Sequence, residues 1–222
     1  MPRHSLNLDF SQRLVIGAYQ LAWVPAPAPK VWHKQFESEM PERGRATSLV
    51  RYQAGARFHR HSHPLGEEIL VLSGTFSDEH GEYPSGTYVR NPPGFTHEHY
   101  SENGCVLFVK VDHFHPGDDQ RVVIHTDEVS WTSRECGISM VTLHRYEQEH
   151  TALVRWPQGQ CAPVHQRWGG EEVLILEGQL ADEMGDYPHH TWIRCPHLSE
   201  HNFTTKEGAL VFIKNSHLPP VE

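Results

Sequence analysis

Hydrophobic positions along this chain fall in short, dense clusters rather than in long periodic runs. Ala46 to Tyr52, Glu68 to Leu72, Thr87 to Arg90 and Val106 to Val111 are rich in β-branched and aromatic residues, with Gly, Pro and Asp between them. Clusters bounded by turn residues predict strands, and no segment carries the pattern of a long helix. Glu68-Ile69-Leu70-Val71-Leu72 lacks polar alternation, so both faces of that strand are expected to be covered, one by a barrel interior and the other by a further sheet. Asp78-Glu79-His80-Gly81 and Asp182-Glu183-Met184-Gly185 read as hairpin turns, with Gly81 and Gly185 free to take positive φ. Pro25-Ala26-Pro27-Ala28-Pro29 cannot be helix interior and predicts an extended arm leading into the first barrel. The reading is all-β.

The pattern occurs twice. Adding 104 to each position takes His61 to His165, Glu67 to Glu171, Gly74 to Gly178, Pro92 to Pro196 and His97 to His201, and about a third of residues between Thr47 and Lys110 are identical in the second copy. An internal duplication with a period near one hundred, in a chain of 222 residues, predicts two domains of ordinary size. The expected division is 1–115 and 116–222, with the segment from Pro116 to about Glu128 as the connector.

Composition narrows the function. A formal charge of -9 without a run of Lys or Arg supplies no footprint for a polyanion, so direct nucleic-acid binding is not expected. No stretch approaches the roughly 20 apolar residues of a membrane span, and Leu14 to Trp23 is too short and interrupted for a secretory signal. Cys105, Cys136, Cys161 and Cys195 form no Cys-x-x-Cys pair and read as reduced thiols, Cys105 as a buried small side chain. These features predict a cytoplasmic protein.

Candidate chemistry lies in two blocks. His61-Ser62-His63-Pro64-Leu65-Gly66-Glu67 is followed, a hairpin later, by Pro92-Pro93-Gly94-Phe95-Thr96-His97. Residues two apart on a strand share a face, so His61 and His63 can ligate one ion if Glu67 and His97 come from adjoining strands. Three imidazoles and a carboxylate on one point predict one divalent metal ion per chain. His59 and His99 lie two residues from candidate ligands and are read as solvated; for Tyr52 and Arg90 barrel packing or a surface ion pair is the expected use.

Gly55-x5-His61-x-His63-x3-Glu67-x6-Gly74 followed by Gly86-x5-Pro92-x-Gly94-x2-His97 resembles the two motifs of the cupin superfamily, except that Ser101 stands where an Asn often closes the second block. Leu49-Val50-Arg51-Tyr52, Asp78-Glu79, Tyr83-Pro84 and Cys105-Val106-Leu107-Phe108-Val109-Lys110 are similar to the cupin domain of ChrR-type anti-sigma factors. The resemblance implies two tandem jelly-roll barrels, a bicupin, with a metal, often zinc, held by His61, His63, Glu67 and His97. Those factors grip a sigma factor through an N-terminal zinc domain combining a His with a Cys-x-x-Cys. Residues 1–45 contain no cysteine, so that binding does not carry over.

In the second copy His165, Glu171 and His201 remain, but Arg167 replaces His63, and a guanidinium cannot coordinate a cation. An inward Arg167 pairing with Glu171 would fill the role of the ion, making this a degenerate site. His190, His197 and Leu198 replace Gly86, Pro93 and Gly94, which predicts a differently shaped loop before His201, and Cys161 and Cys195 read as core residues.

Two functions stay open. One is a regulatory, stress-sensing or small-ligand-binding module built on a four-ligand zinc site. The other is a metal-dependent dioxygenase acting on a small diketone or phenolic compound, in which iron, manganese or nickel keeps positions open for substrate. A homodimer is expected, because open sheet edges and apolar strand faces need cover; a small-molecule ligand or a protein partner fits either function.

Overall fold

The computed structural model describes residues 5–40, 43–134, 137–161 and 166–219. The strands up to residue 125 are β1 (Leu14–Gly17), β2 (Val24–Pro25), β3 (Val31–Met40), β4 (Arg43–Tyr52), β5 (Ala56–Arg57), β6 (His61–Ser62), β7 (Glu67–Asp78), β8 (Gly81–Pro84), β9 (Thr87–Asn91), β10 (Thr96–His97), β11 (Tyr100–Ser101), β12 (Cys105–Val111) and β13 (Val122–His125). They are followed by β14 (Thr132–Ser133), β15 (Ser139–Tyr146), β16 (Glu149–Trp156), β17 (Glu171–Asp182), β18 (Gly185–Pro188), β19 (Thr191–Cys195) and β20 (Ala209–Asn215). Ala18–Gln20 forms a short 3-10 turn. None of their helices is long and apolar enough to cross a membrane. The all-β expectation holds, and each copy of the duplication forms a jelly-roll barrel.

The chain divides into two compact units. Among the described residues the first holds Ser5–Leu8 and Leu21–Val129, the second Asp9–Gln20 and those from Ser130 to Pro219. This differs from a boundary at residue 115. Residues 122–125, in the expected connector, are β13, which pairs antiparallel with β9 of the first unit. From the N-terminal segment β1 pairs with β19 of the second unit, Gly17 opposite Thr191 as His125 is opposite Thr87. The edge strands β9 and β19 would otherwise expose unpaired N–H and C=O groups. Those needs are set by topology, not by any local pattern in the segments that meet them.

In the first unit the main sheet runs β13-β9-β7-β12-β4-β3-β2, and β6 and β10 form a separate small pair. Its register stacks inward-facing residues in rows. Glu67, Val111 and Ala46 form one row, Ile69, Val109, Ser48 and Gln35 the next, and Val71, Leu107 and Val50 a third. On the other face Leu70, Tyr88, Arg90, Phe108 and Lys110 are also buried, so both faces of β7 are covered as its unbroken apolar run predicts. Arg90 is fully buried, not at the surface, and bonds Glu68 at 3.3 Å and Asp118 at 2.7 Å.

Gly74 carries the sharpest backbone requirement. It has φ +73°, and a Cβ there would come 2.1 Å from the carbonyl oxygen of Gly104, next to a break in the β7–β12 register. Gly178 of the second unit repeats this, with φ +69° and an approach of 2.0 Å to Gly208. The freedom expected at Gly81 is not used: Gly185 has φ +154°, but Gly81 is not in the positive-φ region. Gly74→Ala is expected to destabilise the first unit by about 2–4 kcal/mol, since strain and a backbone clash combine. Gly94→Ala, at φ +77° with open space around it, is expected to cost only about 1 kcal/mol. Denaturant unfolding of the two variants, followed side by side, measures the contrast.

Candidate metal centre

The short β6–β10 pair sets His61 directly opposite His97. His63 follows β6 in a turn rather than on the strand, and its carbonyl accepts the N–H groups of Gly66 at 3.2 Å and Gly94 at 3.1 Å. Both loops of the motif are thereby tied to one residue. Glu67 opens β7 immediately after Gly66, whose φ is +70° and whose missing Cβ would strike the Phe114 ring at 2.7 Å and the Asn91 carbonyl at 2.8 Å. Only glycine admits this approach, which delivers the carboxylate to the histidines.

The nitrogens of His61, His63 and His97 lie within 4.8 Å of one another. Glu67 brings Oε1 to 3.0 Å from His97 Nε2 and Oε2 to 3.6 Å from His63 Nε2. Donors about 2.1 Å from a common ion stand roughly 3.0–3.4 Å apart in octahedral or tetrahedral geometry, which the His97–Glu67 separation matches and the His63–Glu67 separation of 3.6 Å approaches. His97 Nε2 is fully buried without a hydrogen bond of proper geometry despite the nearby carboxylate, the arrangement of two ligands sharing a third partner. His61 Nδ1 faces the His59 carbonyl at 2.9 Å, which fixes the N–H there and leaves the Nε2 lone pair available to a metal.

Two residues behind the ligands escaped the sequence reading. Asp78 places Oδ2 3.7 Å from His97 Nδ1, while its Oδ1 accepts from the Tyr83 hydroxyl and the N–H groups of His80 and Gly81. Asn91 donates from Nδ2 to Glu67 Oε1 at 2.9 Å and so aims the carboxylate. Asp78 recurs as Asp182 and gave no contrast between copies, but Asn91 becomes Cys195 in the copy where Arg167 replaces His63. That coincident loss was the available signal.

Burial alone would raise the Glu67 carboxyl, yet His97 beside it holds it well below the ordinary range. Burial would lower His97, but Asp78 and then Glu67 outweigh it and raise it to about 9. His99 is buried, not solvated: burial pushes it down to about 3, and its Nδ1 meets the Tyr52 hydroxyl at 3.0 Å. It packs on Phe58 with ring centroids 4.6 Å apart. His59 is exposed, as expected. A cavity of about 590 Å³ opens beside the cluster, walled by Tyr52, Phe58, Ile69, Phe76 and Leu107, with His61, His63 and Glu67 on its lining.

The second copy is built differently. His165 lies outside the described residues. Arg167 Nε approaches Glu171 Oε2 at 3.5 Å, with its side chain about half exposed, and His201 Nε2 is 3.5 Å from Glu171 Oε1. The guanidinium thus stands beside the carboxylate that Glu67 matches. Asp182 is bonded by Arg13 and by the Tyr187 hydroxyl. The loop before His201 keeps its shape, contrary to expectation: His190 has φ +60° and Leu198 +55° where the first copy has Gly86 and Gly94, and Leu198 N–H still bonds the Arg167 carbonyl at 2.9 Å. Cys195 is a core residue but Cys161 is exposed, so the two are not a core pair; Cys136 lies outside the described residues.

Comparison with known proteins agrees with this geometry. The family model for the ChrR cupin-like domain matches residues 11–115 and again 119–219. No curated protein matches the sequence. Among solved structures, a putative dioxygenase from Nostoc punctiforme is similar with a TM-score of 0.73 at 13% identity, over 100% of this chain and 86% of that one. The bacterial pirin YhhW from Escherichia coli, in complex with nickel(II), gives 0.70 at 13% over 95% and 100%. Oxalate decarboxylase from Lactobacillus farciminis gives 0.68 at 11% over 93% and 87%. At such identity these likenesses establish the fold.

In the metal-free protein, His97 is expected to titrate near pH 9 and His99 to stay neutral down to about pH 3, read from imidazole NMR shifts. Because the His97 value is raised from 6.5, its ion pairing stabilises the metal-free fold fully below about pH 6.5 and fades as the pH rises through 9. Asp78→Asn should lower the His97 midpoint; an unchanged midpoint would remove Asp78 as its cause.

Proposed function

Because this chain belongs to the ChrR cupin-like domain family, we propose that it is a metalloprotein whose N-terminal barrel binds one divalent ion through His61, His63, Glu67 and His97 and presents it to a small molecule in the adjoining cavity. The observation that carries this reading is the convergence of three imidazoles and a buried carboxylate beside a cavity of about 590 Å³, with His97 Nε2 buried and not hydrogen-bonded. Such volumes match small-molecule sites. The C-terminal barrel is the metal-free partner copy, its carboxylate neutralised by Arg167 instead of an ion.

Bound there, a divalent ion supplies Lewis acidity and a coordination position for an oxygen donor. The chain does the remaining work. Asn91 and Asp78 hold Glu67 and His97 in ligating orientation, the His59 carbonyl fixes the His61 tautomer, and the apolar wall limits water. A regulatory role, in which ligand or oxidant reaching the ion alters the barrel for a partner to read, accords with the family and with zinc as the ion. A dioxygenase role needs iron, manganese or nickel with open positions, and the cavity beside the ligands favours it, since a purely structural ion has no use for one.

Metal analysis by plasma mass spectrometry on protein purified without added metal is expected to give one ion per chain. His63→Ala and Glu67→Ala should lose most of it, His165→Ala and His201→Ala should leave it nearly unchanged, and Asn91→Ala should weaken affinity roughly 10- to 100-fold. Two ions per chain, or a loss in His201→Ala, would overturn the assignment to the first barrel. Zinc without oxygen uptake on small diketones and catechols supports the regulatory role; iron, manganese or nickel with uptake supports the oxygenase.

A further inference from the structure

The cavity has a second polar feature on the wall away from the histidines. Ser48 of β4 and Gln35 of β3 face each other in register and both line it. Their row lies two residues along the strands from the row of Glu67. At about 4.8 Å between neighbouring strands, Ser48 is about 10 Å and Gln35 about 14 Å from β7 along the sheet. Among the described residues neither side chain has a hydrogen-bond partner in the protein, while both are only half-buried. They form an uncharged pair of donors and acceptors open to the cavity.

The charges there are one-sided. Among the described residues no Lys or Arg lines the cavity, and its charged side chains besides the histidines are Glu67 and Asp112. Asp112 Oδ1 already accepts the Leu65 N–H at 2.8 Å. Beyond Ser48 and Gln35 the row is apolar, with Ile69 and Val109, and Met40 adds a half-exposed apolar residue. The second barrel shows that the Ser48 hydroxyl is not a demand of the fold: Ala152 takes that position, fully buried in the apolar core. A divalent ion with Glu67 leaves one net positive charge and Asp112 adds a negative one, so a dianion would overcompensate in a wall whose described residues offer no cation.

We propose that the cavity accepts a mainly apolar small molecule whose only ionisable group is the one that meets the metal, and whose far end carries a neutral hydrogen-bonding group for Ser48 and Gln35 on the wall two and three strands from β7. Small dianions are excluded. This rests on the metal reading above, and the test separates the two.

The probes are benzohydroxamic acid, its 4-hydroxymethyl derivative, and oxalate, titrated calorimetrically into the metal-loaded full chain with metal content measured in parallel. One added neutral hydrogen bond is expected to make the hydroxymethyl compound bind roughly fivefold more tightly than its parent. In Ser48→Ala/Gln35→Leu that advantage should vanish with metal content unchanged, and oxalate should bind at least about tenfold more weakly than benzohydroxamic acid. Ser48→Ala alone, which reproduces Ala152, serves where the double variant does not fold, and should lose most of the advantage. Wild-type chain that takes up no metal defeats the metal reading and this inference together. Metal-loaded chain with no hydroxymethyl advantage, an advantage that survives the substitutions, or oxalate binding as tightly as the hydroxamate overturns this inference alone.

Discussion

Burying an ionised carboxylate is costly unless its charge is met locally, and Glu67, almost fully buried at the start of β7, imposes that condition on everything around it. His97 and His63 face its two oxygens, and Asn91 adds a neutral donor. His97 is in turn backed by Asp78, so negative charge stands on both sides of one imidazole. A cation at the centre relieves the arrangement; without one, His97 must carry a proton to do so. The same condition holds for Glu171 in the second unit, where Arg167 stands beside the carboxylate. One fold thus meets one electrostatic demand in two ways.

The backbone is arranged to make this burial exact in position. Gly66 lets β7 begin in contact with Phe114 and Asn91, Gly74 lets it pass Gly104 at the β7–β12 irregularity, and the His63 carbonyl ties two loops together. These devices persist in the second unit even where Arg167 stands in place of His63. Gly170 and Gly178 keep positive φ, and Leu198 holds a left-handed conformation that a branched side chain adopts at a cost of roughly 1–2 kcal/mol. The loop geometry therefore serves the barrel as well as the site.

Much of this was legible in the sequence. The spacing of His61, His63, Glu67 and His97, its near repetition 104 residues later, and the turn-bounded clusters gave fold class and candidate ligands, because turn signals and ligand chemistry are local properties, although His63 reaches the cluster from the turn after β6 and not by strand parity. What could not be read was partnership across the topology. Nothing in Leu14–Gly17 names β19, and nothing in Val122–His125 names β9. His99 appeared as one more surface histidine, since its burial against Tyr52 and Phe58 depends on β4, β11 and the loop before β6 converging. Asp78 was visible as a turn residue, which it is, while its second oxygen serves His97.

The duplication makes the second barrel an internal control for what the first retains. Interior positions that wall the cavity, Val50, Ile69, Leu107 and Val109, become Val154, Val173, Val211 and Ile213, so the apolar lining changes little. The differences concentrate on polar positions: Ser48 becomes Ala152, Asn91 becomes Cys195, His63 becomes Arg167 and His99 becomes Phe203. Barrel stability demands none of the four side chains of the first copy, because a barrel of the same fold forms without them. Side chains that packing does not require, and that all border one cavity or its carboxylate, mark a site rather than a need of the fold.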